Sequence, residues 1–315
     1  MLTTEPIFAN KAPFAQLLVL LLLILSSTLL TFFVGILLAM PFYGTDVLSI
    51  LVDAGNLSSE SDIALMKYFQ VVNQLGLFFI PVLIFSWLVS KNISSYLRLN
   101  QRPAFGSILF TFMLIFSVLP FIHWLVEINE SMHLPEYLSG VEEWMKSSEE
   151  SAMKLTEAFL GTTSLSGLLV NIVMIGLLAA VGEELLFRAV LVRIFENWFS
   201  NVHVAVIVSS LLFSAFHLQF FGFLPRFVLG MLFGYLFVWS GTLWLPIFAH
   251  FMNNASAVLV YYLVNTGRID ADAEQFGATD NMLLFIFSIL ISAGLLALIF
   301  FTEKKKRAIP IKICG

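Results

Sequence analysis

Leu177-Leu178-Ala179-Ala180-Val181-Gly182-Glu183-Glu184-Leu185-Leu186-Phe187-Arg188 places three ionisable side chains inside a run that is otherwise apolar. The run extends over roughly 168–196, longer than the ~20 residues a spanning helix needs. Ionisable groups at membrane depth are costly, and they are functional candidates by default. On a helix Glu184 and Arg188 stand four apart and share a face, so an ion pair keeps both charged. Glu183 points about 100° away and needs a different partner. Glu184 thus reads as a structural carboxylate and Glu183 as a candidate base. Alternatively, both glutamates mark the end of a helix, with Arg188 at the interface.

The rest of the chain agrees with a membrane setting. Of its 315 residues 59% are hydrophobic, 33 are Phe and only 12% are charged. A soluble domain carries about 25% charged residues. The reading is therefore an all-α polytopic membrane protein, with no signal for a nucleic-acid partner. A single cysteine, Cys314, excludes an internal disulfide framework and a cysteine zinc cage. Its Cys-Gly context is not a C-a-a-X box. The first apolar run, Ala12 to Met40, is too long for a signal peptide and reads as a retained helix.

Counting apolar runs gives about eight spans, at roughly 13–40, 68–90, 104–126, 168–196, 203–220, 224–241, 244–265 and 282–302. In that arrangement Lys11, Lys91, Arg98, Arg102, Arg193 and Lys304-Lys305-Lys306-Arg307 share one side. The acidic loops around Asp46–Asp62 and Asp270–Asp280 share the other, with Arg226 and Arg268 as exceptions. Arg226 is expected in a short turn between the fifth and sixth spans. The positive-inside rule then puts both termini in the cytoplasm, in a bacterial cytoplasmic membrane. No internal repeat is visible.

The stretch 127–160 is different. It is rich in Glu, and Leu134, Leu138, Val141 and Met145 recur at helical spacing. It reads as an amphipathic helix outside the hydrocarbon, serving as a lid or as a plain connector. The chain accordingly divides into N-terminal spans (1–126), this acidic segment (127–160), a catalytic membrane core (161–265), and a last span with a basic tail (266–315).

Two further patterns fall in the core. In Phe213-x-x-x-His217 a ring and an imidazole share a face, and in His250-x-x-x-Asn254 an imidazole and a carboxamide do. His217 is either functional or a satisfied packing residue, and His250 with Asn254 forms either donors for a developing oxyanion or an interhelical hydrogen bond holding spans together. Asn253 lies off the His250 face. Depth is consistent: Glu183 falls about 15–20 Å, His217 about 20 Å, and His250 with Asn254 about 9–15 Å from the basic side. A span ending at Glu184 would break that agreement.

The ordered set Glu-Glu-x-x-x-Arg, Phe-x-x-x-His, His-x-x-x-Asn resembles the CAAX protease and bacteriocin-processing (CPBP, or Abi) family of intramembrane endopeptidases. That family includes the type II CAAX prenyl endopeptidase. The approach Gly241-Thr242-Leu243-Trp244-Leu245-Pro246-Ile247-Phe248-Ala249-His250 is similar as well, whereas Ala189 stands where glycine commonly follows the arginine. The resemblance covers about residues 165–260 and implies that Glu183 and His217 activate a water. It further implies that His250 and Asn254 hold the oxyanion, and that Glu184 with Arg188 brace the site. No cofactor is favoured; the alternative is zinc held by Glu183, His217 and His250. The implied partners are the bilayer and a membrane-associated peptide or protein substrate, lipidated or not. The site is expected to open toward the cytoplasmic half. Competing readings are a non-catalytic scaffold using the same pocket and a proton-coupled transporter.

Overall fold

The computed structural model describes residues 6–52, 57 and 59–308, so Cys314 lies outside the described residues. Among them every regular element is helical. Six helices are long and apolar enough to cross a membrane. They are α1 (Pro13–Tyr43), α2 (Glu60–Val89), α6 (Leu165–Phe199), α8 (Phe220–Ser240), α9 (Trp244–Asn265) and α10 (Met282–Arg307). Between α2 and α6 stand α3 (Phe105–Ser117), α4 (Leu119–Glu130) and α5 (Ser139–Leu160), and α7 (Val202–Phe216) precedes α8.

Two of the eight expected spans are therefore modified. The third is broken into α3 and α4, which meet at 43°. Pro120, in the first turn of α4, cannot donate to the preceding turn and forces the bend. Counting the pair as one span gives seven. The fifth, α7, has 15 residues, so it rises only about 22 Å and does not cross the hydrocarbon alone. The acidic segment also starts later than expected. Residues 127–130 finish α4, and α5 begins at Ser139 after the break at Pro135. Glu142 accepts from the Leu134 amide and pairs with Lys146 and His133 across that break. These contacts hold its carboxyl down at about 2, so Glu142 is ionised at any ordinary pH.

Helix ends sort the charges as the sequence suggests. The Phe8 amide donates to Leu88 O (3.0 Å), the Leu243 amide to Arg98 O (3.2 Å) and the Ala104 amide to Glu303 Oε1 (2.8 Å). These bonds gather the start of α1, the ends of α2, α8 and α10, and the loop 90–104 at one basic end. At the opposite end Lys67 Nζ and Asn265 Nδ2 tie α2 and α9 to the Phe159 and Leu160 carbonyls closing α5. Leu25 (62% exposed) and Leu290 (61%) represent the apolar faces that α1 and α10 turn outward to lipid.

The C-terminal half of α6 is the centre of the bundle. Every residue from Glu184 through Val192 is buried, the signature of a helix surrounded by others. Phe78, Phe85, Phe187, Phe213 and Val206 belong to the core around it. Close packing relies on small residues. In Gly230-x-x-x-Gly234, Gly230 faces Ser210 and Gly234 faces Val206, locking α8 antiparallel to α7.

Three π-helical stretches interrupt the spans: Leu75–Phe79 in α2, then Ile172–Leu178 and Leu185–Leu191 in α6. In each, a side chain from a neighbouring helix donates to a carbonyl. Ser27 Oγ bonds Gly76 O (2.5 Å), Gln74 Nε2 bonds Met174 O (3.2 Å) and Ser209 Oγ bonds Phe187 O (2.7 Å). Lipid offers no such donors, so irregular backbone at this depth is tolerated only where protein supplies them.

A Cβ on Gly76 would stand 3.0 Å from the Thr28 Cα on the α1 backbone and collide with Thr31 Oγ1. Gly76→Ala is expected to cost about 1–3 kcal/mol of overpacking strain. Thermal unfolding in detergent should show a lowered midpoint, while Gly294→Ala, where a Cβ meets open space, leaves it unchanged.

Candidate active site

Glu183 and Glu184 lie on a six-residue α-helical turn, Ala179–Glu184, between the two π stretches of α6. The span continues past them to Phe199, so they sit at mid-helix rather than at its end. Gly182 makes this placement possible, because a Cβ there would be 2.9 Å from both Phe78 and Phe79 of α2.

Glu184 is wholly buried and Arg188 almost so. Arg188 Nη1 stands 3.0 Å from Glu184 Oε1, at ion-pair distance though outside hydrogen-bond geometry. Its Nη2 donates to Gly230 O on α8 (3.1 Å). The guanidinium lies 4.4 Å from the Phe213 ring centre, with Phe233 at 5.5 Å and Phe187 at 5.9 Å. Three aromatic faces and one carboxylate thus replace water around this cation; a desolvated cation–π contact is worth about 2 kcal/mol.

His250, on the second turn of α9, joins the two glutamates. Its Nδ1 is 2.9 Å from Glu184 Oε1 and its Nε2 is 3.8 Å from Glu183 Oε2. A carboxylate only accepts, so Nδ1 carries a proton. The ring stacks on Phe233, with centres 5.0 Å apart and planes 19° apart, and meets Phe213 edge-on at 5.9 Å. Phe213 and Phe233 therefore position both Arg188 and His250.

His217 ends α7, with its Nδ1 2.9 Å from Phe213 O. The carbonyl accepts, which leaves the Nε2 lone pair free of that contact. The ring meets Phe213 at 5.2 Å, so the expected shared face is present. Glu183, His250 and Arg226 lie within electrostatic reach of it. The contact made by Glu183 is with His250, not with His217.

Asn254, one turn beyond His250, donates from Nδ2 to Ile175 O (3.0 Å) in the first π stretch of α6. That carbonyl fixes the amide orientation, and Asn253 Nδ2 donates to Asn254 Oδ1 (3.1 Å). Asn253, which lies off the His250 face, thus orients its neighbour instead of competing with it. One Nδ2 hydrogen of Asn254 remains uncommitted by these bonds.

Glu183 differs from its neighbour. Its side chain keeps 12% exposure and has no partner as close as those on Glu184 Oε1, although Oε2 of each glutamate is buried without a hydrogen-bond partner among the described residues. Toward the basic end the cluster is closed by the apolar core of Leu243, Ile247 and Phe237. The less buried groups, His217, Asn253 and Asn254, lie on the other side. The turn after His217 rests on α4 and α5: Asn129 bridges Phe220 O and the Leu224 amide, Glu149 accepts from the Phe221 amide, and Trp144 packs on Phe220. Arg226 follows the turn, inside α8, and donates back to Gln219 O (2.8 Å) and Oε1 (2.7 Å).

His250 presents one nitrogen to each carboxylate, and no three His, Cys, Asp or Glu side chains converge as ligands among the described residues.

Arg188→Met leaves Glu184 buried without its cation, which costs about 3–5 kcal/mol. Thermal unfolding in detergent should show a much lower midpoint for this variant, with most of the loss recovered in Glu184→Gln/Arg188→Met. A single variant as stable as the wild type contradicts the pairing.

Comparison with known proteins places the site in context. Residues 165–256 match the family model described as type II CAAX prenyl endopeptidase Rce1-like. The uncharacterized protein YpbD of Bacillus subtilis (strain 168) is 32% identical over 89 residues, which is 27% of this chain and 42% of that relative. The chain thus matches less than half the length of this relative. No solved structure matches. The matched segment opens at the first residue of α6 and contains Glu183, Glu184, Arg188, His217, His250 and Asn254, so this membrane-embedded core is similar to the Rce1-like type II CAAX prenyl endopeptidases.

Proposed function

We propose that the protein is an intramembrane endopeptidase in which Glu183 activates the attacking water. The observation that carries this reading is the placement of two neighbouring carboxylates on one imidazole. Glu184 has no exposed surface and is held through Oε1 by Arg188 and the His250 Nδ1–H, whereas Glu183 keeps 12% exposure and has His250 Nε2 only at 3.8 Å. One carboxylate is structural and the other is free to take a proton.

In this reading a water lies between Glu183 and the lone pair of His217 Nε2. It attacks the scissile carbonyl carbon while Glu183 accepts its proton. The developing oxyanion takes a hydrogen bond from the free Nδ2–H of Asn254 and another from the Nε2–H of His250, whose ring takes its second proton from solvent before the cycle and keeps it throughout. Preorganised donors of this kind contribute about 3–4 kcal/mol each. Doubly protonated His250 and Arg188 together balance the charges of Glu183 and Glu184, which makes that state affordable in a low-dielectric interior. The C–N bond then breaks as the amine leaves with the proton held by Glu183. The second water proton then passes from the new carboxyl group to the amine, so one peptide and one water yield a carboxylate and an ammonium, and in this reading no metal takes part.

The buried setting favours a substrate presented from within the membrane or its surface, with an apolar or lipidated C-terminal part. By the positive-inside rule the basic end, with both termini, faces the cytoplasm.

Detergent-purified protein should cleave a quenched panel of prenylated and unmodified C-terminal peptides. Glu183→Gln is expected to lower turnover by at least ~10³-fold, with the unfolding midpoint kept, and His250→Ala by about 10²–10³-fold. A chelator should leave wild-type turnover unchanged. Wild-type rates in Glu183→Gln would exclude the base assignment and leave a scaffold reading.

A further inference from the structure

At the basic end, some distance from the glutamates, the helix ends enclose a cavity of about 820 Å³. Arg98, Arg193, Lys306 and Arg307 line it, and Glu196 is the single acidic side chain among its lining residues. From these residues we infer that this cavity is a binding site for a phosphate-bearing anion, either the headgroup of an anionic phospholipid or a soluble phosphate ester.

The site is built rather than incidental. The Arg193 guanidinium sits over the Tyr96 ring at 4.4 Å, held by a contact that leaves its N–H edge available. Arg307 Nη2 donates to Val238 O (2.7 Å). Its guanidinium also packs against Gly241, where a Cβ would stand 2.9 Å from Nη2. Gly241 has a φ of +66° at the end of α8, so the glycine both turns the chain and admits the arginine. Lys306 reaches the Arg102 carbonyl and lies 3.8 Å from Glu303. Buried Glu303 in turn accepts from the Ala104 amide, which clamps the 98–104 loop to α10.

Arg98 and Arg193 lie within electrostatic reach of each other and repel, and Glu196 with Glu303 offsets only two of the four cations. Guanidinium groups present paired N–H donors that match phosphate oxygens, the arrangement used wherever planar anions are recognised. The cavity also lies where the spans end; Trp198 stands in the last turn of α6 and Trp244 opens α9, where its Nε1 donates to Leu99 O (2.9 Å). Tryptophans at this level mark the headgroup zone, and basic pockets between spans there suit anionic headgroups.

The test uses the full chain and the variants Arg98→Asn and Arg307→Gln. Arg98 contributes its carbonyl to the loop contacts with Leu243 and Thr242, and Asn tolerates its φ of +56°, so Arg98→Asn should fold normally. Protein extracted from vesicles of phosphatidylglycerol and phosphatidylcholine is examined by native mass spectrometry. In parallel, lipid-free protein is melted with and without inorganic phosphate or glycerol 3-phosphate. Retention of phosphatidylglycerol over phosphatidylcholine, reduced at least ~10-fold in both variants, identifies a lipid headgroup. A phosphate-dependent rise in melting temperature, lost in both variants and without lipid retention, identifies a soluble phosphate ester. Neither effect in the wild type, or equal effects in wild type and variants, overturns the inference.

Discussion

The interaction on which the structure depends is the buried charge of Glu184. A carboxylate with no exposed surface in an apolar bundle persists only if cations and donors surround it. Arg188 supplies the charge and His250 the hydrogen bond, each from about 3 Å. Those two partners then set the positions of three other helices. Arg188 ties α6 to the Gly230 carbonyl of α8, and His250 brings in α9. Phe213 of α7 and Phe233 of α8 close over both cationic side chains. A single carboxylate thus joins α6, α7, α8 and α9 at one depth, and Glu183 is placed by the same turn of helix.

Irregular helix geometry complements this charge network. The two π stretches of α6 flank the Glu183–Glu184 turn, and Asn254 and Ser209 each bond a carbonyl within them. π-bulges concentrate at functional sites because they reaim side chains without ending the helix. In lipid they demand side-chain donors, and the polar residues of α2, α7 and α9 provide them. The carboxamide proposed to meet the oxyanion is therefore also the one that stabilises the backbone beside the glutamates.

Much of this was legible in the residues. The three spaced motifs, the apolar runs and the grouping of Lys and Arg located the membrane core and its charge sidedness, because burial and helical spacing act locally along the chain. The i, i+4 rule anticipated the Glu184–Arg188 pair even though a π stretch lies between them. Tertiary geometry was not legible. Nothing in the His250 motif reveals that its ring turns one nitrogen to each glutamate, or that Asn253, off the His250 face, bonds its own neighbour Asn254. The short α7 and the bend at Pro120 changed the span count, though Pro120 was a visible signal for the second. Gly230-x-x-x-Gly234 was also present as a small-residue pattern, and it marks the close α7–α8 contact.

The central claim is that water, activated at Glu183, attacks a peptide carbonyl inside the bundle. Cleavage in ¹⁸O-labelled water under single-turnover conditions tests it most directly. The account predicts that the new carboxyl terminus carries one ¹⁸O from the first turnover, with no label on the protein. Label found instead in the Glu183 side chain, with unlabelled product, would show a covalent acyl intermediate and contradict it.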